Sequence, residues 1–407
     1  KKQDVPVESD ECIFQPEIIL KTSDSSKALE KGSIFLPMAN FEESSIEKEL
    51  EEEQFDLLFA KKVFFAVGRN CSVEWDKQNE SSMKVDWVKT SFVPRYEVDV
   101  IEPKQAKSEP LKTNLQLKTL KDITDFSKYE KLLSPIVSEY EKWLVELEKN
   151  SSIPDYYKKK RIDELQIANC HNAKKRIEKG IKLISNDPIA GQAFQFANEA
   201  MWDQMMYSRW AKENIKKGMK GVDAKPPFFK YEQENPPRWY VFQIAFILLN
   251  LESIFHPESD DREVVDLLWF PTGGGKTEAY LGIVAFVLAM KRLQEGENDG
   301  VTVLMRYTYR LLTIQQFHRA AALMCSCEYI RQNDVKKWGK EPFRVGLFVG
   351  DNTTPNSLDV AKKNLYKKSD ESNPVQILNC PRCGQHLVEQ NYQVVQNPLR
   401  MAIKCGN

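Results

Sequence analysis

No uninterrupted apolar run of about 18 residues, the length that spans a bilayer, occurs anywhere in the chain. Its opening, KKQDVPVESD, also lacks the apolar stretch of a secretory signal. Both absences predict a cytoplasmic protein that does not engage a membrane. Net charge is missing too: Lys+Arg 58 against Asp+Glu 59 leaves -1 at pH 7. No global positive field therefore advertises a nucleic-acid partner, and any basic track must be local. Cysteine is present but not concentrated. The eight residues Cys12, Cys71, Cys170, Cys325, Cys327, Cys380, Cys383 and Cys405 are scattered along the chain. That excludes a small disulfide-stapled scaffold and favours a reducing compartment. There is no internal repeat and no initiating Met, and the final CGN stops inside what reads as an unfinished metal module. The sequence is accordingly expected to be a fragment of a longer protein.

What remains is 407 residues, enough for two to four domains with a substantial core. Residues 1–123 read as a β-containing N-terminal region. Segments such as KKVFFAVGRNCSVEW and SFVPRYEVDVIEP alternate Val, Phe, Tyr and Trp with polar residues. The acidic run EESSIEKELEEEQ reads as the solvated face of a helix whose apolar side carries Ile46, Leu50 and Phe55. Residues 124–222 read as a helical region and linker, with Leu165, Ile167, Cys170, Ile177, Ile181 and Leu183 on helical spacing. Lys158 to Arg161 and Lys174 to Arg176 are basic enough to touch a phosphate backbone, but Lys-rich helix faces are ordinarily just solvated.

Residues 228–379 alternate in type. Helical patterns at Trp239–Asn250, Thr277–Glu295 and Leu312–Gln332 are interleaved with apolar strand patterns at Val264–Phe270, Val301–Tyr307 and Phe343–Val349. That alternation predicts an α/β fold, a parallel sheet covered by helices on both faces. Residues 380–407 read as the start of a zinc-binding module.

Within the α/β region, Phe270 to Thr277 reads FPTGGGKT: an apolar strand, three glycines, then Lys-Thr opening a helix. This is the context of a phosphate-binding loop. Thr272, Gly273, Gly274 and Gly275 supply backbone amides that can close around phosphates, and glycine reaches φ values barred to other residues. Lys276 is expected on the β- and γ-phosphates of ATP, and the Thr277 hydroxyl on Mg²⁺, with Glu278 next in line. The usual leading Gly or Ala is Phe270 here, but Pro271 to Thr277 fits the shorter PTGxGKT form of superfamily 2 helicases. Upstream, RWYVFQ places Arg238 and Gln243 where such motors read adenine, Gln243 offering both a donor and an acceptor. Trp239 and Phe242 fit either a stacking role or a plain helix core.

The phrase VLMRYTYRLLTIQQ resembles the helicase pattern PTRELAxQ, with Arg310, Leu312 and Gln315 in register. Arg306, Thr308, Arg310 and Gln315 are thus candidates to hold the sugar-phosphate backbone of one strand, a contact blind to sequence. Finally, CPRCG at Cys380 to Gly384 is a zinc knuckle: two thiolates two residues apart, with Pro and Gly shaping the turn. Cys405 is a third ligand candidate. The fourth is His386 or a Cys past Asn407.

Taken together, VDLLWFPTGGGKTEAYLGIVAF, VTVLMRYTYRLLTIQQFHRAAAL, FFAVGRNCSVEW, VPRYEV and AFQFANEAM resemble the DrmA helicase family of the bacterial DISARM antiphage system and related superfamily 2 phage-defence helicases. The likeness runs from about Leu57 onward. It implies a RecA-like lobe and an ATP-dependent DNA helicase or translocase acting on foreign DNA, with single-stranded character, alongside a DrmB-like partner subunit and a DNA methyltransferase. It also implies an acidic motif and a second motor lobe, neither of which is visible in these residues. The alternatives from other classes are a nucleotide-gated DNA- or protein-binding switch and a small-molecule kinase using the same loop.

Overall fold

A computed structural model describes residues 17–21, 50–58, 64–75, 85, 87–93, 108–149, 161–218, 226–269, 275–296, 300–307, 310–350, 353–365, 372–396 and 399–406. The chain divides into two compact units. One holds the described residues up to 93 together with 145–149 and 161–169; the other holds 108–144 and 170–406.

In the first unit, β1 (Ile19–Lys21), β2 (Ser72–Trp75) and β3 (Trp87–Ser91) form an antiparallel sheet in the order β1-β3-β2. Its register pairs Leu20 with Val88 and Trp75 with Val88. Phe65, Val85 and Val88 form its small core, and the Phe65 ring meets Trp75 edge to face at 5.6 Å. The acidic run ends in helix α1 (Leu50–Leu58), but Phe55 on its expected apolar side is exposed. Ile46 and residues 94–107 lie outside the described residues.

The second unit is mainly helical. Short α2 (Glu109–Asn114) and α3 (Leu117–Lys121) lead into α4 (Lys128–Lys149). These are followed by α5 (Arg161–Asn186), α6 (Pro188–Lys216) and the short α7 (Phe228–Glu234). Asp187 caps α6, its carboxylate accepting the Ile189 and Ala190 amides at 2.8 Å each, and Pro188 fills the first position, where no amide is needed. Along α6, Ala190, Ala193, Ala197 and Ala200 are fully or nearly buried beside Phe194, Phe196 and Met201. Small residues between large ones let neighbouring helices come close. Helix α6 packs against α3, α9 (Lys276–Glu295) and α10 (Arg310–Asn333), while α9 also packs on α8 (Val241–Phe255). One apolar core runs from Leu111 to Phe343, so residues before 222 and after 228 share it. Each fully buried Leu or Phe in it contributes about 1.5–3 kcal/mol.

Helices form where the periodicity places them, at Val241–Phe255, Lys276–Glu295 and Arg310–Asn333. The strand expectations differ. Among the described residues no ladder joins 264–269, 301–307 and 343–349, and the sheets present are antiparallel. The expected parallel sheet is therefore not formed among them. The physical reason lies in their exposure. These segments alternate, with Asp266, Met305 and Phe343 turned toward the helices, while Val265 is 93% exposed, Leu267 85% and Phe348 fully so. Helices cover one side only, and a run of Val and Leu becomes a central strand only with neighbours on its edges and cover on both faces. The CPRCG segment is followed by the hairpin β4 (Tyr392–Gln396) and β5 (Leu399–Ile403), pairing Tyr392 with Ile403. Among the described residues no helix is long and apolar enough to cross a membrane.

Candidate functional site

Helix α9 begins at Gly275, whose φ of +90° lies in the left-handed region that L side chains rarely adopt. A Cβ there would stand 2.6 Å from the Gln243 amide nitrogen. That nitrogen donates to the Gly275 carbonyl at 2.7 Å, while the Gln243 amide oxygen accepts from the Tyr240 backbone N–H at 2.8 Å. Gln243 is buried, so both ends of its amide are satisfied inside the protein. Its candidate adenine contact thus belongs to a side chain already latched to the loop. Lys276 and Thr277 are half-buried at the start of α9, where the positive end of the helix dipole lies. Glu278, on the same first turn, pairs with Arg319 of α10. Thr272, Gly273 and Gly274 lie outside the described residues.

The approach to the loop is anchored from behind. Asp266 accepts from both terminal guanidinium nitrogens of Arg176 on α5, at 2.7 and 2.6 Å, and Arg176 is buried. Arg176 is therefore spent inside the fold, whereas Lys174, half-buried, pairs with the partly exposed Glu141 at the surface. Arg176 is thus not available to a phosphate backbone. Lys158 to Lys160 and the Arg161 side chain lie outside the described residues. Trp239 is a core residue: its indole N–H donates to the buried Asn198 side-chain oxygen at 2.8 Å. Phe242 stacks on Tyr240. Arg238 is half-buried and bridges to Gln116 through the backbone. Of the strand-holding candidates, Arg306 and Gln315 are exposed; Thr308 and the Arg310 side chain lie outside the described residues.

A second site lies at the end of the chain. The β4–β5 hairpin returns Cys405 to the knuckle, and the sulfurs of Cys380, Cys383 and Cys405 all fall within 4.8 Å of one another, with Cys383 and Cys405 at 3.4 Å. The knuckle turn is closed by Gly384 N–H on the Cys380 carbonyl at 2.9 Å and Cys380 N–H on the Gln385 carbonyl at 2.8 Å. Gly384 takes φ +77°, and a Cβ there would lie 2.5 Å from the Ala211 carbonyl of α6. The hydrogen bond from Cys380 draws the Cys383 thiol down to about 7, while the same contact pushes Cys380 up. Three sulfurs clustered this closely suit a thiophilic divalent cation such as zinc. His386 is not part of this group; no fourth His, Cys, Asp or Glu ligand joins it among the described residues.

Sequence reasoning missed what lies between the two knuckle cysteines. Arg382 reaches Asp203 of α6 at 2.6 and 3.2 Å, and its guanidinium stands 3.6 Å from the Tyr207 ring centre and 4.9 Å from that of Tyr329 on α10. The signal was faint: Asp203 and Gln204 set between apolar residues in the stretch MWDQMM.

The described features define a mixed helical and strand protein with a glycine-led Lys-Thr helix start and a thiol cluster fit for a metal. No protein-family model matches the chain. It is 36% identical over 356 residues to DISARM protein DrmA of Bacillus paralicheniformis, a stretch that is 83% of this chain and 30% of that protein. Over most of its length, then, the chain is DrmA-like, and it spans about a third of the relative it matches.

Proposed function

We propose that the chain supplies the ATP-binding part of a superfamily 2 DNA helicase or translocase that acts in antiphage defence, in the cytoplasm. The carrying observation is Gly275, left-handed and latched by Gln243, directly before Lys276 and Thr277 at a helix start, in a chain 36% identical to a DISARM protein. The close approach at Gly275 fits a loop that must bring backbone amides to phosphates. Thr272 to Gly275 would cradle the phosphates, Lys276 would neutralise their charge, and the Thr277 hydroxyl would reach Mg²⁺. Glu278 and Arg238 would flank the nucleotide, and Gln243 would lie toward the adenine. ATP supplies a phosphoryl group whose transfer this charge placement favours.

Arg306, Thr308, Arg310 and Gln315 are assigned to one strand of DNA with single-stranded character, through contacts that ignore sequence. The three extended segments are assigned to a RecA-like parallel sheet in a protein of the relative's full length, with a DrmB-like subunit as partner. The test is DNA-stimulated ATP hydrolysis together with strand or roadblock displacement by that full-length protein. Stimulation with directional displacement supports a motor. ATP-dependent DNA binding without displacement points instead to a nucleotide-gated switch, and hydrolysis driven by a metabolite and not by DNA would overturn both.

A further inference from the structure

Arg382 is held by more than its two knuckle neighbours need. Its guanidinium is flanked by the rings of Tyr207 and Tyr329 and meets the buried Asp203 carboxylate in a two-pronged contact. Tyr207 and Asp203 belong to α6, and Tyr329 belongs to α10. The knuckle touches α6 twice more: the buried Asn214 side chain donates to the Cys383 carbonyl at 2.7 Å, and Gly384 lies against the Ala211 carbonyl. The Cys383 side chain is itself buried with Met206, Trp210 and Tyr231. The turn carrying Arg382 is therefore pinned at one end to a helix surface and at the other to the sulfur cluster. Nothing covalent holds its two cysteines at the spacing that aims the guanidinium.

We propose that Cys380, Cys383 and Cys405 take one zinc ion, releasing their thiol protons to solvent, and that metal occupancy fastens Arg382 in its socket and so ties α6 to α10. Three thiolates leave a fourth tetrahedral position for water or another donor. A metal that fixes the Cys380 and Cys383 sulfurs removes the freedom of the Pro-Arg pair between them, so the cost of ordering Arg382 is met before it enters the socket. Stripping the metal frees the turn and leaves the Asp203 carboxylate on α6 with a partner that must be ordered afresh. The proposal stands apart from the motor reading, because none of these residues belongs to the nucleotide loop.

The test measures metal content and amide hydrogen exchange of the full chain after zinc reconstitution, with and without a strong zinc chelator. The expected result is about one zinc per chain. Stripping should speed exchange across residues 203–214 and 322–330 about tenfold or more. Cys383→Ser should bind no zinc and exchange as the stripped protein does. Arg382→Leu should keep its zinc yet exchange fast in both helices whether or not chelator is present. Should Arg382→Leu fail to fold, Asp203→Asn, which keeps the shape and loses the charge, should give the same chelator-insensitive pattern. A chain that takes up no zinc, exchange in both helices unmoved by stripping, or a full chelator response in Arg382→Leu or Asp203→Asn would each overturn the proposal.

Discussion

The side-chain amide of Gln243 donates to the Gly275 carbonyl at 2.7 Å, tying the first turn of α8 to the residue that opens α9. This one contact explains two features of the loop. Gly275 must be glycine because its φ is positive, and also because a Cβ would meet the Gln243 nitrogen. Gln243→Glu keeps the acceptor for Tyr240 N–H but presents Gly275 with an oxygen in place of a donor. It is expected to cost about 1–3 kcal/mol, as a buried carbonyl losing its partner does. Thermal unfolding checks this, and an unshifted midpoint would remove the latch from the account.

Gly275→Ala should be worse tolerated than an alanine elsewhere in the first turn of α9. The left-handed backbone alone costs an L residue about 1–2 kcal/mol. The contact with Gln243 adds to it, so Gly275→Ala combined with Gln243→Ala should recover part of the loss. Additive single effects would show that the two residues do not meet.

Arg176 and Asp266 form a pair in which removing one partner strands the other. Asp266→Leu, which leaves the buried Arg176 guanidinium with only Asp261 at 3.8 Å among the described residues, is expected to destabilise by about 3 kcal/mol, and Asp266→Leu with Arg176→Met by clearly less, because an unpaired buried charge costs more than an apolar replacement. Chemical denaturation of the singles and the double gives the coupling, and a coupling near zero contradicts the pairing.

Trp239→Phe should cost about 1–3 kcal/mol, since it preserves the ring packing but leaves the buried Asn198 oxygen without its donor. Urea unfolding monitored by far-UV circular dichroism measures it.

Hydrogen exchange separates the helical frame from the extended segments. In the chain of residues 1–407, amides at 264–269, 301–307 and 343–349 should exchange rapidly while those inside α9 stay protected, because no ladder holds the former. In a protein of the relative's length the same amides should become protected as the proposed sheet forms. Equal, strong protection in both would contradict the description given above.

The helices were legible because their apolar residues recur at helical spacing and their ends carry caps. The glycines before Lys276 announce a helix start in the sequence itself, whereas the Asp187-Pro188 cap emerged from the structure. The extended segments read as a finished sheet because the alternation of strand and helix patterns reports the order of element types. It cannot report whether neighbours are present, and Val265, Leu267 and Phe348 lack them here. The knuckle spacing was readable from two cysteines and a glycine. The return of Cys405 depends on the β4–β5 hairpin, and the Arg382 socket depends on two helices far apart in sequence. No local pattern encodes either. Lys174 and Arg176 looked like free basic surface because their partners, Glu141 and Asp266, lie well away along the chain.

The central claim is that Lys276 faces nucleotide phosphates, and ATP hydrolysis by Lys276→Ala in a full-length protein, with DNA present and folding verified by circular dichroism, tests it most directly. The account predicts hydrolysis falling to background with the unfolding midpoint unchanged. A Lys276→Ala protein that hydrolyses ATP at the wild-type rate would contradict it.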